Sequence, residues 1–169
     1  MISKIYWINE GKIGENKIGT MARPRGNDWL DDEIKWLKIR EVDCLVSLLE
    51  NSEEWDLGLQ REREFCKNWG IEFINFPIKD VNIPTNENEF IQLAIELANQ
   101  IRENKKVVIH CRMGIGRASI LAAAIMINLG FEGKDVFDII GKYRELKVPD
   151  TEEQRDWILS IEENLKKEK

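Results

Sequence analysis

One short segment of the chain gathers the residue types that nucleophilic chemistry on an anion requires. The segment KKVVIHCRMGIGRAS, residues 105–119, contains the only histidine of the chain, His110, directly before Cys111. A thiolate is a strong nucleophile, and the planar fork of an arginine matches two oxygens of a phosphate group. Cys111 and Arg117 are separated by five residues, Arg112, Met113, Gly114, Ile115 and Gly116. The spacing therefore predicts a site for nucleophilic attack on a bound oxyanion.

The loop between Cys111 and Arg117 is typical of a backbone that binds an oxyanion. Gly114 and Gly116 allow backbone angles that a side chain resists, so successive N–H groups can converge on one centre. A helix that begins directly after the loop adds the positive end of its dipole. Residues 112–117 are therefore predicted to bind the substrate phosphate, and the same field favours the thiolate form of Cys111.

His110 is predicted to support the loop. Its imidazole is expected to point away from the anion and to form a hydrogen bond with backbone, because a thiolate stabilised in this way needs no general base. A lone cysteine or histidine at a strand end is more often a plain core residue. The glycines, Arg117 and the abrupt turn from strand to helix favour catalysis here, since packing alone does not require them.

Alternating strands and helices must position these residues. Apolar or alternating segments predict strands over residues 4–8, 16–21, 43–49, 71–76 and 106–109. Amphipathic or buried segments predict helices near 30–37, over 57–69 and 87–103, from about 116, over 134–146 and after 151. This alternation predicts a single α/β domain over residues 1–169, a three-layer fold whose central, mainly parallel sheet is flanked by helices. Such sheets bind ligands at the carboxyl ends of their strands, where His110 and Cys111 fall.

The composition is that of an ordinary globular protein, with 43% hydrophobic and 33% charged residues. A net charge of −6 disfavours nucleic acid as a partner, although a locally positive anion site is compatible with it. The opening MISKIYWINEG lacks the features of a secretion signal, and ILAAAIMINLGF is too short to cross a bilayer. Three cysteines without disulfide or zinc-ligand spacing favour a reduced, cytoplasmic protein that is not bound to a membrane.

The segment HCRMGIGRAS resembles the Cys-(x)5-Arg phosphate loop of the protein tyrosine phosphatase superfamily, in its dual-specificity-like branch. ARPRG, CLVSLLE, FPIKDVNIP and VPDTEEQRDW are similar, in the same order, to blocks of small prokaryotic and cyclin-dependent kinase inhibitor 3-like phosphatases. The resemblance therefore implies the fold of the cysteine-based phosphatases. It also implies a cysteinyl-phosphate intermediate on Cys111, formed without a metal ion or any other cofactor.

The resemblance also implies a role for Asp80. The segment FPIKDVNIP places Asp80 between Pro77 and Pro84, just after a predicted strand. In the resembling family the matching aspartate is the general acid and is carried on a mobile loop over the site. A plain turn-forming aspartate is the alternative. With Asp80 as acid and then base, and with a thiolate nucleophile, we expect a bell-shaped pH profile with an optimum below neutrality.

One position departs from the family pattern. The residue after the loop arginine is usually serine or threonine, whose hydroxyl helps to break the thiophosphate, whereas this chain has Ala118. Ser119 lies one helical step further, roughly 100° around the axis. A phosphoprotein-binding pseudophosphatase therefore stays open as an alternative. A thiol-based sulfurtransferase or arsenate reductase is a second alternative, although neither needs Asp80 together with a Cys-(x)5-Arg loop at position 111.

The expected partner is a phosphorylated protein or a small phosphomonoester. Met113 and Ile115 bring no positive charge into the loop, so a singly phosphorylated group is favoured over a phosphoinositide. Phosphate-like oxyanions are expected to inhibit the protein, which is predicted to act as a monomer. The choice between phosphotyrosine and phosphoserine or phosphothreonine depends on pocket depth, which loops outside this segment determine.

Overall fold

The computed structural model describes residues 2–167, which form an α/β fold. The strands are β1 (Tyr6–Trp7), β2 (Ile18–Met21), β3 (Cys44–Ser47), β4 (Glu72–Asn75) and β5 (Val107–His110). The helices are α1 (Leu30–Ile39), α2 (Asn51–Leu57), α3 (Glu62–Trp69), α4 (Glu87–Arg102), α5 (Arg117–Asn128), α6 (Gly133–Arg144), α7 (Glu152–Ser160) and α8 (Glu162–Lys166). Short 3₁₀ turns cover Gly11–Ile13 and Asn27–Trp29.

The five strands form one sheet in the order β1-β2-β5-β3-β4. β2, β5, β3 and β4 are parallel, and β1 is antiparallel to β2 at one edge. β5 lies in the middle, and its register pairs His110 with Met21 of β2 and with Ser47 of β3. The carboxyl ends of three parallel strands therefore meet where β5 gives way to the loop that contains Cys111.

Helices cover both faces of the sheet, as the sequence predicts. One face packs against α4 to α8 through residues such as Phe90, Phe137 and Ile158. The other face packs against α1 and α3 through Ile34 and Cys66, among others. β5 is buried along its whole length because it contributes to both cores, which explains why its sequence is apolar without alternation.

The predicted helix over residues 57–69 is wrong in its extent. The predicted range begins too early: Leu57 is the last residue of α2, which Gly58 ends in a left-handed conformation (φ 72°), and α3 begins only at Glu62. Gly70 ends α3 in the same way (φ 74°), as predicted. α2 was not predicted at all, although its start has a capping box between Glu50 and Glu53. This short helix carries Glu53, a charged residue of the candidate site.

Within residues 2–167, none of the helices is long and apolar enough to cross a membrane.

Candidate active site

The predicted loop lies at the carboxyl end of the central strand. β5 ends at His110 and α5 begins at Arg117, so residues 111–116 make the whole connection between strand and helix. Cys111 is buried, whereas Met113 at the tip of the loop is 58% exposed. Because α5 begins directly after the loop, the positive end of its helix dipole lies close to the sulfur. The structure thus brings together the six residues that the sequence predicts for phosphate binding.

The conformation of the loop depends on Gly114. This residue has φ 75°, and a Cβ built on it would lie 2.7 Å from the backbone of Met21 in the neighbouring strand. Only glycine fits such a position without strain. The resulting turn directs the Gly114 N–H at Cys111 Sγ, at an N···S distance of 3.2 Å. A backbone donor at this distance stabilises a negatively charged sulfur.

Arg144 holds the loop from outside, a contact that the sequence analysis missed. From the end of α6, its Nη2 and Nε donate to the carbonyl oxygens of Met113 and Gly114, at 2.9 and 3.2 Å. The C=O and N–H of a trans peptide point in opposite directions. Because Arg144 draws these two carbonyls outward, the N–H groups of Gly114 and Ile115 face the opposite, inner side of the loop.

Arg117 is held by Glu53, a second residue that the sequence analysis missed. The two carboxylate oxygens of Glu53 accept hydrogen bonds from Arg117 Nη1 and Nη2 at 2.8 and 2.9 Å. Burial opposes the charge of Glu53, but hydrogen bonds from Arg117 and from the Glu50 N–H keep its pKa below the usual value. Arg112 adds a weaker contact, with its Nε 3.5 Å from Glu53 Oε1. The only sequence signal for Glu53 was the capping box.

The Arg117 guanidinium also reaches the loop that follows β4. Its Nη1 donates to the carbonyl of Ile78 at 2.9 Å, and its Nη2 lies 3.1 Å from Asp80 Oδ1. Asp80 therefore lies beside the arginine, with its side chain half exposed. Arg117 Nε is buried and has no hydrogen-bond partner among the described residues. Nε and Nη2 form one edge of the guanidinium, and this edge can bind two oxygens of a phosphate.

Asp150 is a third residue of the site that the sequence analysis did not identify. It lies just before α7, and its carboxylate lies against Gly116, where any side chain would collide with it. Burial and the negative charge of Asp80 raise the pKa of Asp150, while Arg117 acts in the opposite direction. Asp150 is thus a third carboxyl group near Arg117, besides Glu53 and Asp80. Thr151 caps α7 and Gln154 completes the capping box; the Gln154 side chain also donates to the carbonyl of Asn82, close to Asp80.

His110 is the last residue of β5. It is fully buried, and its Nδ1 lies 3.1 Å from the carbonyl oxygen of Cys111. Its Nε2 lies 2.6 Å from Oε2 of Glu62 on α3, a contact that the sequence analysis did not foresee. Burial alone would lower the pKa of His110, but the charge of Glu62 and the hydrogen bonds raise it overall.

Ser119 does not occupy the place of the missing hydroxyl. Ala118 and Ser119 are both buried, and Ser119 Oγ has no hydrogen-bond partner among the described residues, Cys111 included. Cys44 lies at the opposite end of the sheet, since it pairs with Val107 at the start of β5. Four residues of strand, about 13 Å, therefore separate it from the level of Cys111. Cys44 is thus not placed to form a disulfide with Cys111.

The described residues contain no group of three or more histidine, cysteine, aspartate or glutamate side chains that could hold a metal ion. The donors of the loop and Arg117 instead suit an anion. The arrangement of sulfur, anion-binding loop, buried arginine and nearby carboxyl group is suited to group transfer from a phosphomonoester.

Comparisons with known proteins agree with this geometry. The family described as "Tc-R-P: Polymorphic toxin system, DSP-PTPase phosphatase" matches residues 19–131, about two thirds of the chain, including Asp80 and the whole loop. "Putative tyrosine phosphatase 067L" of Invertebrate iridescent virus 3 is 26% identical over 133 residues, which cover 74% of this chain and 54% of that protein. The chain thus spans about half the length of this curated relative.

Solved structures share the fold. Kinase associated phosphatase (KAP), with a serine in place of its catalytic cysteine, superimposes with a TM-score of 0.87 at 17% identity, over 100% of this chain and 99% of that chain. TpbA of P. aeruginosa, solved in complex with phosphotyrosine, gives a TM-score of 0.63 at 14% identity, over 90% and 85% of the two chains. At such identities the similarity concerns the fold alone.

Proposed function

This chain belongs to the DSP-PTPase phosphatase family, and we propose that it hydrolyses phosphomonoesters through a covalent intermediate on Cys111. The observation that carries the proposal is the arrangement around the sulfur. A backbone N–H lies 3.2 Å from Cys111 Sγ, and the guanidinium of Arg117, fixed by Glu53, also contacts Asp80. The nucleophile, the phosphate-binding arginine and the proposed proton donor thus belong to one site.

In the first step, the thiolate of Cys111 attacks phosphorus in line with the leaving oxygen. The loop N–H groups and the Nε–Nη2 edge of Arg117 hold the other phosphate oxygens, whose charge they stabilise. As the P–O bond breaks, its electron pair leaves with the oxygen, which takes a proton from the carboxyl group of Asp80. The product alcohol or phenol departs, and the phosphoryl group remains on sulfur.

In the second step, the Asp80 carboxylate takes a proton from water, whose oxygen attacks phosphorus. The S–P bond breaks and its electron pair returns to sulfur, so that inorganic phosphate leaves and the thiolate is restored. Ala118 offers no hydroxyl to assist the departure of sulfur, and Ser119 makes no hydrogen bond to it. We therefore expect this step to limit turnover.

We propose that the preferred substrate carries one phosphate, as in phosphotyrosine. The loop side chains Met113 and Ile115 add no charge that could bind a second phosphate. The bound phosphotyrosine of TpbA, which shares the fold, is consistent with a site for this group. Phosphate-like oxyanions such as vanadate are expected to compete with the substrate. We also propose that the protein acts as a monomer. A reducing cytoplasm is proposed as its location, because all three cysteines are free thiols.

The test is hydrolysis of two aryl phosphates that differ in the basicity of their leaving group. Cys111→Ser should abolish turnover of both substrates, because an alcohol is a far weaker nucleophile than a thiolate. Asp80→Asn should slow phenyl phosphate by about 100-fold to 10,000-fold. It should slow 4-nitrophenyl phosphate much less, since nitrophenolate departs without a proton.

Asp56→Asn is the matched control, because it makes the same chemical change at an exposed aspartate on α2. It should change neither rate by more than about twofold. Undiminished turnover by Cys111→Ser would exclude the mechanism. A wild-type protein that binds vanadate yet turns over neither the aryl phosphates nor a panel of phosphopeptides would be the pseudophosphatase that Ala118 leaves open.

A further inference from the structure

A buried acid–base pair lies on the side of Cys111 that faces away from the substrate. His110 and Glu62 are both essentially inaccessible, with side-chain exposures of 0% and 1%. Their Nε2 and Oε2 atoms are 2.6 Å apart, which is short for a hydrogen bond between nitrogen and oxygen. The other ring nitrogen, Nδ1, lies 3.1 Å from the Cys111 carbonyl oxygen. The histidine thus connects Glu62 to the backbone of the nucleophile.

The partners of the ring determine where its protons must be. A carbonyl oxygen only accepts hydrogen bonds, so Nδ1 must carry a proton. An ionised carboxylate also only accepts, so Nε2 must carry a second proton, and His110 is then an imidazolium. The one other arrangement is a neutral histidine whose Nε2 accepts a hydrogen bond from the carboxyl O–H of a neutral Glu62. The two arrangements differ in whether a positive charge lies next to Cys111.

The surroundings favour the imidazolium. The negative charge of Glu54 on α2 also favours the protonated ring, although burial and Glu62 raise the pKa of Glu54 itself, and Arg63 on α3 acts on Glu54 in the opposite direction. The neighbouring thiol of Cys66 is neutral, because burial raises its pKa. The balance of these charges is negative, and it agrees with the raised pKa of His110, in which Glu62 and Glu54 outweigh burial.

Stability alone does not account for the pair. Moving two charged groups into a core costs about as much as their attraction returns, and apolar residues of the same volume are often more stabilising. Glu62 Oε1 is buried without a hydrogen-bond partner among the described residues, so this carboxylate is incompletely satisfied. A polar pair that is retained at such a cost, in direct contact with the nucleophilic loop, points to a role in the reaction.

We propose that Glu62 is a positioning residue that keeps His110 as an imidazolium, and that this fixed cation stabilises the Cys111 thiolate beside it. The ring is hydrogen-bonded to the carbonyl of the residue that carries the sulfur, whereas the carboxylate of Glu62 lies on the far side of the ring. A positive charge that lies nearer to a thiol than its counter-charge favours the thiolate. The hydrogen bond from the ring to the Cys111 carbonyl also fixes the first peptide of the loop. The proposal rests on the proposed function, in which the thiolate of Cys111 is the nucleophile.

The protonation state can be measured directly, because His110 is the only histidine of the chain. Protein labelled with ¹⁵N in histidine alone gives one pair of ring nitrogen signals. We expect both ring nitrogens to be protonated at pH 7, in line with the raised pKa of His110. A neutral ring at pH 7, with one unprotonated nitrogen, would overturn the proposal. The measurement uses the wild-type protein and does not depend on any variant folding.

The effect on Cys111 is measured by alkylation with iodoacetamide between pH 4 and 9, with peptide mapping to identify the modified cysteine. Glu62→Gln keeps the shape of the side chain but can supply an N–H to Nε2, so His110 becomes neutral. We expect the midpoint of Cys111 alkylation to move up by about one pH unit, which is about a tenfold lower rate at acid pH. Cys44 and Cys66 should react slowly, because burial raises the pKa of both thiols.

Glu33→Gln is the matched control. Glu33 is as buried as Glu62, with a side-chain exposure of 2%, and it also pairs with a cation, Arg25, at 2.6 Å. It lies on α1, outside the nucleophilic loop, so its loss should lower stability without moving the alkylation midpoint. A wild-type midpoint in folded Glu62→Gln would refute the proposal. Neither measurement uses a phosphate ester, so a protein without phosphatase activity would still show whether Glu62 sets the state of His110 and Cys111.

Discussion

Replacing Glu53 by glutamine tests whether the phosphate-binding arginine depends on a buried carboxylate. Arg117 is 1% exposed, and Glu53 supplies both carboxylate oxygens at 2.8 and 2.9 Å. Glutamine at this position can still complete the capping box of α2, so the helix itself is preserved. The substitution therefore removes mainly the negative charge and one of the two hydrogen bonds to Arg117.

The magnitude follows from the burial of the cation. Breaking a buried ion pair by removing one partner costs about 3–5 kcal/mol, and we expect about 3 kcal/mol because glutamine keeps one acceptor. For a chain of 169 residues this is a fall of about 8 °C in the melting temperature. Without Glu53 to fix it, the guanidinium of Arg117 can rotate. We therefore expect kcat/KM for 4-nitrophenyl phosphate to fall by at least about tenfold.

The assays are thermal and urea unfolding followed by circular dichroism, together with the kinetics. Glu64→Gln is a matched control, because Glu64 binds Arg61 with two hydrogen bonds of 2.9 and 3.0 Å on the surface. With both side chains more than half exposed, this pair should contribute little to stability, because solvent screens it. The two substitutions thus compare two arginine–glutamate pairs, each with two hydrogen bonds, at different burial.

The pH dependence gives a second check on Glu53. Because its folded-state pKa is lowered, its stabilising contribution is complete above the unfolded-state value of about 4.3 and is lost as pH falls through the folded-state value. The difference between wild type and Glu53→Gln should therefore shrink in acid. Equal losses for Glu53→Gln and Glu64→Gln, or a difference that grows in acid, would refute the reasoning.

Three further predictions concern the loop and its histidine. Gly114→Ala places a Cβ against the backbone of Met21 at a residue whose φ is 75°. The strained loop should lower kcat/KM and vanadate affinity by at least about tenfold. Wild-type vanadate binding would contradict this. Ala118→Ser restores a hydroxyl near Cys111 and should raise kcat while reducing any pre-steady-state burst of nitrophenolate; an unchanged burst and kcat would show that the second step is not limiting. His110 has a raised folded-state pKa, so its contribution to stability is complete below about pH 6.5 and is lost as pH rises through the folded-state value. Urea unfolding between pH 6 and 9 measures this loss, and a flat profile would contradict it.

Much of the site could be predicted from the sequence because its reactive part is contiguous. Cys111, the two glycines and Arg117 lie within seven residues, and the geometry of a loop between a strand and a helix depends mainly on local backbone preferences. The sheet could be predicted as well, since apolar β5 had to be covered on both faces. Asp80 came from the family resemblance, and the structure places it beside Arg117.

The supporting residues could not be found in this way. Glu53, Glu62, Arg144 and Asp150 come from four separate segments, and the chain has 31 acidic and 25 basic residues that look alike in sequence. Glu53 and Arg117 are 64 positions apart, and His110 and Glu62 are 48 apart. Gly58 ends α2 and separates it from α3, so that Glu53 and Glu62 lie on two different helices.

The sequence by itself therefore determined the nucleophile, the anion-binding loop and the layers that surround them, because those depend on residue type and local spacing. Only the tertiary structure decided which of many charged side chains turn inward to hold Arg117 and His110. That choice depends on the packing of distant helices, since the charge of a side chain is stabilised in the core only where the fold brings its partner within hydrogen-bond distance.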